Sequence, residues 1–420
     1  MAADQTHASR GRTVPGGLAV RTVPVPDPGE LLPLLAEPAA LAWLHRGEGL
    51  VGWGEAARVV LPAGVDRFAA GEKWLRAVFE AADIEDQVGL PGCGPVAFGS
   101  FTFDPVSEGS VVVIPRAVAG RRDGQAWLTT IGEEPGPPAG PVPVQPVTGP
   151  VRWHDGTLTA LEWQQAVAAA VVRIRAGSLR KVVLARDLFA TAADPFDVRV
   201  LLSRLASRYP DCYTFSCAGL VGATPELLIR REEQNVSSLV LAGTVPRGST
   251  LAEDRAYGDG LLASAKDAEE HAYVVDSVRD VLARHCDRLE VAAAPSLLRL
   301  ANLQHLATAV TGRLAADASA LALAAELHPT AAVCGTPADA ALELIRELEG
   351  MDRGRYAGPV GWLDSRGNGE WGIALRCAEL DGPRARLFAG SGIVAGSDPR
   401  SELTEDQQPK FRPMQYAIEG

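Results

Sequence analysis

From residue 161 onward the chain switches repeatedly between helical and strand-like spacing of its apolar positions. LEWQQAVAAAVVRIRAG, 161–177, is amphipathic at the helical period. KVVLARDLFA, 181–190, is an apolar run that reads as a strand. PFDVRVLLSRLASRYP, 195–210, reads as a helix with proline at its start. DCYTFSCAG, ELLIRREE and SSLVLAG read as strands, and 264–286 as one long helix. SLLRLAN and HLATAVTGRL follow as strands, then a short helix at 318–326. PADAALELIRELEG is a helix stopped by Gly350. VGWLDSRGNGEWGIALRCAEL, 360–380, reads as a hairpin turning at Gly367-Asn368-Gly369. RLFAGSGIV is a strand, and 401–418 forms the closing helix.

The first third is less regular. Residues 16–131 read as short strands and turns with one helix near 70–82, and 1–15 as a disordered lead. Residues 132–150 are so rich in proline and glycine that no regular element is expected there. They mark a candidate boundary between a 16–150 sheet portion and a 151–420 core. Strands joined by hairpins, with helices interspersed, predict an α+β fold with a large, mostly antiparallel sheet layered by helices.

Composition narrows the function. Of 420 residues 47% are hydrophobic and 22% charged, a globular balance. The net charge of -12 argues against nucleic-acid binding. It also means that an anionic ligand must be held by local cations. No run approaches a membrane span, and the N-terminus lacks the apolar core of a signal peptide, so a cytoplasmic protein is expected. Six cysteines are scattered without a CxxC, and no HExxH is present, which disfavours zinc and disulfides.

Two acidic clusters stand out. Asp267 and Glu270 are three apart on one predicted helix, and Glu402 and Glu405 are three apart on another. Such pairs share a helix face, and two faces together offer an all-oxygen site for a hard divalent cation. A solvated helix face is the plainer reading of each. Lys181 opens a strand and shares a face with Val183 and Ala185. Desolvated there it is a candidate base, and reaching water it is a strand-mouth lysine. Glu226, after Thr224-Pro225, is either a raised-pKa acid or an edge charge. LAGTVPRG, 241–248, ends a strand in a glycine turn with backbone N–H groups that can hold an anion. The glycines of AGSGIV allow close approach of a ligand, or mark a bulge. His305 lies in an apolar strand. Arg376 lies mid-strand among apolar residues, where an unpaired guanidinium is costly and an anionic partner is expected.

Taken in order, KVVLAR, GATPELLIR, LAGT, SAKDAEEH, LQHLAT, HPTAAVCGTP, RGRYAGPVGWLDSRGNGEW, IALRCA, AGSGIV and the closing ExxE with Lys410 resemble the chorismate-utilising enzymes. That family includes isochorismate, salicylate, anthranilate and aminodeoxychorismate synthases. The resemblance runs from about residue 95 to the C-terminus. It implies the α+β chorismate-enzyme fold, two packed antiparallel sheets layered by helices, as one chorismate-binding domain over 16–420. It implies magnesium held by Glu270 and Glu405, with Asp267 and Glu402 acting through water. Arg376 and Tyr356 are then expected at the pyruvyl carboxylate. Lys410 and the backbone of Ala242, Gly243, Thr244, Gly390 and Gly392 add contacts, and His305 lines the ring.

Members that add ammonia carry a glutamine where this chain has Lys181, so water is the implied nucleophile. Ala242, in place of the lysine of the aminodeoxychorismate branch, points the same way. The resemblance therefore implies an isochorismate synthase: Lys181 deprotonates a water that attacks C2, and Glu226 protonates the departing C4 hydroxyl. Salicylate synthase, which goes on to eliminate pyruvate, is the alternative. Ala332, where lyase-competent members carry a threonine, favours release of isochorismate. A non-catalytic chorismate binder is the other alternative, opposed by the presence of Lys181, Glu226 and all four carboxylates. A monomer is expected. Pro409 beside Lys410 is a departure expected to disturb the closing helix.

Overall fold

The computed structural model describes residues 17–35, 40–132 and 149–420, without the side chains of 405–408. The lead at 1–15, nearly all of the proline-rich stretch, and the carboxylate of Glu405 lie outside the described residues. The described strands form two sheets, one of thirteen and one of ten. Every pairing is antiparallel except Ala19–Val25 with Asp83–Asp86.

Both sheets mix strands from the two sides of the proline-rich stretch. In the larger, Leu41–His45 pairs with Tyr213–Cys217. In the smaller, Val96–Ser100 pairs with Pro359–Asp364. Strand alternation then sorts side chains into two cores. Trp43 packs between the sheets with Phe215, Trp362 and Trp371. Its neighbours Ala42 and Leu44 face the opposite way, under helices Val198–Arg208 and Gln408–Glu419.

Helix ends follow local chemistry. Thr159 and Glu162 form a reciprocal capping box on Ala160–Arg175. Gly350, left-handed at φ 62°, ends Ala338–Glu349.

Three elements differ from the sequence reading. The long helix is shorter, Ala265–Leu282. Ser264 caps it, and a separate helix, Leu251–Ala263, precedes it. That helix has its own signal, Thr250 capping Glu253 N, but Gly258 and Gly260 weaken its period. The hairpin ends at Ile373, because Cys377–Asp381 belongs to the other sheet. The closing helix is interrupted by a π turn at Glu402–Gln407, which ends two residues before Pro409. Proline has no N–H to donate, which suits a local break in the helical ladder.

Candidate active site

Lys181 begins the strand Lys181–Thr191, which pairs along its length with Arg384–Ile393. The register sets Val183 opposite Gly392 and Ala185 opposite Gly390. These two glycines make the room. A Cβ on Gly392 would lie 3.1 Å from Lys181 Cε and 3.2 Å from Glu270 Oε1. A Cβ on Gly390 would lie 2.9 Å from the Tyr356 hydroxyl. The register is unbroken here, so these glycines provide close approach and no bulge. Lys181, only 4% exposed, makes a 2.8 Å ion pair with Glu270.

Glu226 and Arg376 occupy two of the places where the chain passes from one sheet to the other. Leu220–Thr224 lies in the larger sheet and Leu227–Glu232 in the smaller, with Pro225-Glu226 between them. Gly369–Ile373 makes the reverse passage to Cys377–Asp381. The crossings are stitched together by Ile373 N donating to Glu226 O at 3.2 Å and Ala223 N to Arg376 O at 3.2 Å. Arg376 is therefore at a break with left-handed backbone, φ 50°, and half-buried, not in mid-strand. Glu226 is buried, and desolvation pushes its pKa up to about 7 against the pull of Lys181 and Arg376.

The third wall comes from Asn235–Pro246 and Leu303–Leu314. Their register shifts between Ala242 and Thr244, with Gly243 at φ 77°. LAGT is thus a bulge inside a long strand, not a strand-ending turn. The bulge re-aims Thr244, whose hydroxyl meets His305 Nδ1 at 3.0 Å. Next to Glu270, His271 bonds Thr308 at 2.7 Å and fixes the helix to this wall. Burial lowers the His271 pKa. Tyr356 stacks on Phe388 at 4.9 Å. Despite the π turn, Lys410 reaches across to donate to Gly390 O at 2.9 Å.

Lys181, Glu226, Ala242, Gly243, Thr244, Glu270, His305, Tyr356, Arg376, Gly390, Gly392 and Lys410, with Ala332 and Val333, line one cavity of about 100 Å³. Asp267 and Glu402 do not line it. Asp267 sits behind the Gly243 bulge, and Glu402 accepts from Ser397 Oγ at 2.7 Å. A larger cavity of about 820 Å³ beside helix Val198–Arg208 takes none of these residues. Its arginines are engaged, Arg46 with Asp211, Arg199 with Asp197 and Arg204 with the carbonyls of Ala417 and Ile418, so size alone does not locate the chemistry.

Among the described residues no three acidic, histidine or cysteine side chains converge closely enough to hold an ion. The donors are nevertheless of the right chemistry. Glu270 presents a hard carboxylate at the cavity wall where Gly392 leaves space, as a small divalent cation requires.

The sequence reading missed Glu349 and Arg353. They form a fully buried ion pair at 2.5 Å. Glu349 accepts from Ala185 N at 2.7 Å, while Arg353 donates to Val183 O at 2.7 Å and Val333 O at 2.9 Å. The pair thus clamps two cavity walls together. Their i,i+4 spacing in ELEGMDR was visible, but Gly350 ends the helix between them.

A family profile described as chorismate binding enzyme matches residues 149–419. Isochorismate synthase DhbC of Bacillus subtilis is 42% identical over 269 residues, 61% of this chain and 67% of its own. Isochorismate synthase MenF of the same organism is 34% identical over 389 residues, covering 84% and 80%. Two further relatives, the salicylate-biosynthesis isochorismate synthase of Pseudomonas aeruginosa and the putative isochorismate synthase MenF of Mycobacterium tuberculosis, are matched over 56% and 87% of their own length. The structure of MenF, the menaquinone-specific isochorismate synthase from Escherichia coli, superposes with a TM-score of 0.80 at 27% identity, covering 96% of this chain and 95% of that one.

Proposed function

The chain belongs to the chorismate-binding enzyme family, and from that membership we propose that it is an isochorismate synthase. One observation carries the choice within the family. A buried lysine, Lys181, faces the same cavity as a buried carboxyl, Glu226, whose pKa is about 7. A lysine at this position matches the members that add water. Lys181 takes a proton from a water as it attacks C2 of chorismate. The ring double bonds shift, and the C4 hydroxyl leaves as water with the proton of Glu226. To accept that proton Lys181 must be in its neutral form, which has no charge to pair with Glu270.

Burial matters to both steps. A carboxyl with a pKa near neutrality keeps a proton to give and releases it readily. Arg376 and Lys410 are the cations placed to receive substrate carboxylates, Arg376 from the crossing and Lys410 from the closing helix. Tyr356 and His305 face the ring. Magnesium, held by Glu270 and Glu405 with Asp267 and Glu402 behind, supplies positive charge for the ring carboxylate when bound. We place the enzyme in the cytoplasm as a monomer. The six cysteines are free thiols, which suits a reducing compartment, and among the described residues no helix is long and apolar enough to cross a membrane.

The test is product analysis of chorismate incubated with magnesium, with and without ammonium, beside Lys181→Ala and Glu226→Ala. Partial, reversible conversion to isochorismate, lost in both variants, is expected. Stoichiometric pyruvate and salicylate would place the chain with the salicylate synthases. An aminated product would overturn the assignment of Lys181.

A further inference from the structure

Arg186 is the one side chain of the KVVLAR strand whose chemistry the reaction does not use. Alternation turns it away from Lys181, to the outer face of the larger sheet beneath the closing helix. It is only 8% exposed. Its Nη2 meets Asp155 at 3.2 Å, but the Asp155 side chain is itself 57% exposed. Its Nε is buried with no hydrogen-bond partner among the described residues. A buried donor without an acceptor is uncommon and calls for an explanation. Burial also lowers the Arg186 pKa, a penalty that a bound anion would reverse.

Arg186 lines a cavity of about 340 Å³ between this strand and the closing helix. Arg412 and Gln415 line it from the helix, and Leu188, Leu403 and Phe411 supply apolar surface. No carboxylate lines it among the described residues. We propose that this cavity is a second ligand site, separate from the chorismate cavity, for a small ring-bearing carboxylate. A guanidinium takes a carboxylate through paired N–H donors, and Arg186 has one such donor to spare. The apolar residues suit a flat ring, and would be left wet by a bare phosphate. The volume is in the range of small-molecule sites, roughly 300–1,000 Å³.

The test is calorimetric titration of the full chain with benzoate, beside benzamide and acetate, which carry only the ring or only the carboxylate. Benzoate is expected to bind most tightly of the three. Arg412→Ala, on the exposed helix surface, and Arg186→Gln should each weaken it about tenfold or more. Lys181→Ala should leave it unchanged, so the result stands apart from the reading of the reaction. Absence of benzoate binding, or binding untouched by Arg412→Ala, would overturn the proposal. Titrating chorismate into the Lys181→Ala chain separates two sources of the ligand. Two bound molecules, the weaker lost with Arg412→Ala, identify the substrate itself. One bound molecule leaves the site to an aromatic acid.

Discussion

Burial gives Glu226 its proton and makes it a liability to the fold. Each pKa unit is worth about 1.4 kcal/mol. The rise from the ordinary 4.5 to about 7 therefore corresponds to roughly 3 kcal/mol. The native state binds the proton more tightly than the unfolded chain, so stability falls as pH rises from 4.5 to about 7. Glu226→Gln, which cannot ionise, should escape this. It should be about 3 kcal/mol more stable than the wild type at pH 8, but less than about 1 kcal/mol at pH 5. Urea unfolding at the two pH values would measure it, and an equal difference at both would refute the raised pKa. The same variant should lose roughly 10²–10⁴-fold in kcat while still binding chorismate, since it removes the proton donor and keeps the shape. In the wild type, the acid-dependent limb of activity should fall above about pH 7. Lys181 was legible as a site residue only through the order of motifs shared with the family, since its own strand fits a strand-mouth lysine equally well. That it pairs with Glu270 was not, because the two are 89 residues apart and meet through packing alone.

At the scale of elements, the strand Arg384–Ile393 and the Glu349–Arg353 clamp set the geometry. Gly392→Ala would put a methyl group 3.1 Å from Lys181 Cε. The lysine would have to shift by a few tenths of an ångström. Misplacement on the ångström scale can cost about 10²-fold, so kcat should fall by on the order of tenfold with the fold intact by circular dichroism. Arg353→Met leaves Glu349 charged and buried without its partner. About 3–5 kcal/mol of stability should be lost, and pairing it with Glu349→Leu should recover much of that in chemical denaturation. A double variant no better than the single one would mean that the bonds to Val183 and Val333, not the charge pair, hold the walls. The helices were readable from their periods and caps. The bulge at Gly243 was not, since a glycine before a threonine fits a turn equally well until the partner strand fixes the register.

At the scale of the whole molecule, the N-terminal third completes both sheets. Tyr213–Cys217 and Pro359–Asp364 would each lose a neighbouring strand in a chain cut to 149–420. Trp362 and Trp371 would lose the cover of Phe98 and Phe101. Such a fragment should aggregate or melt without a cooperative transition, and adding 17–132 in trans should restore folding, read by near-UV dichroism. Magnesium removal acts on another level. Chelation should abolish turnover reversibly and leave the melting transition nearly in place, because the sheets are closed by strand pairing.

The sequence by itself determined most of the elements after residue 161, the family and most of the residues that line the cavity, because periods, caps and short motifs are local and survive as text. The tertiary structure alone decided three things. It placed Glu226 and Arg376 side by side at two sheet crossings, since only folding tells where a strand changes partners. It joined Glu349 and Arg353 behind the Lys181 strand. It also left Arg186 with a donor unmet among the described residues on the far face of that strand, because hydrogen-bond satisfaction is a property of surroundings and is absent from any sequence.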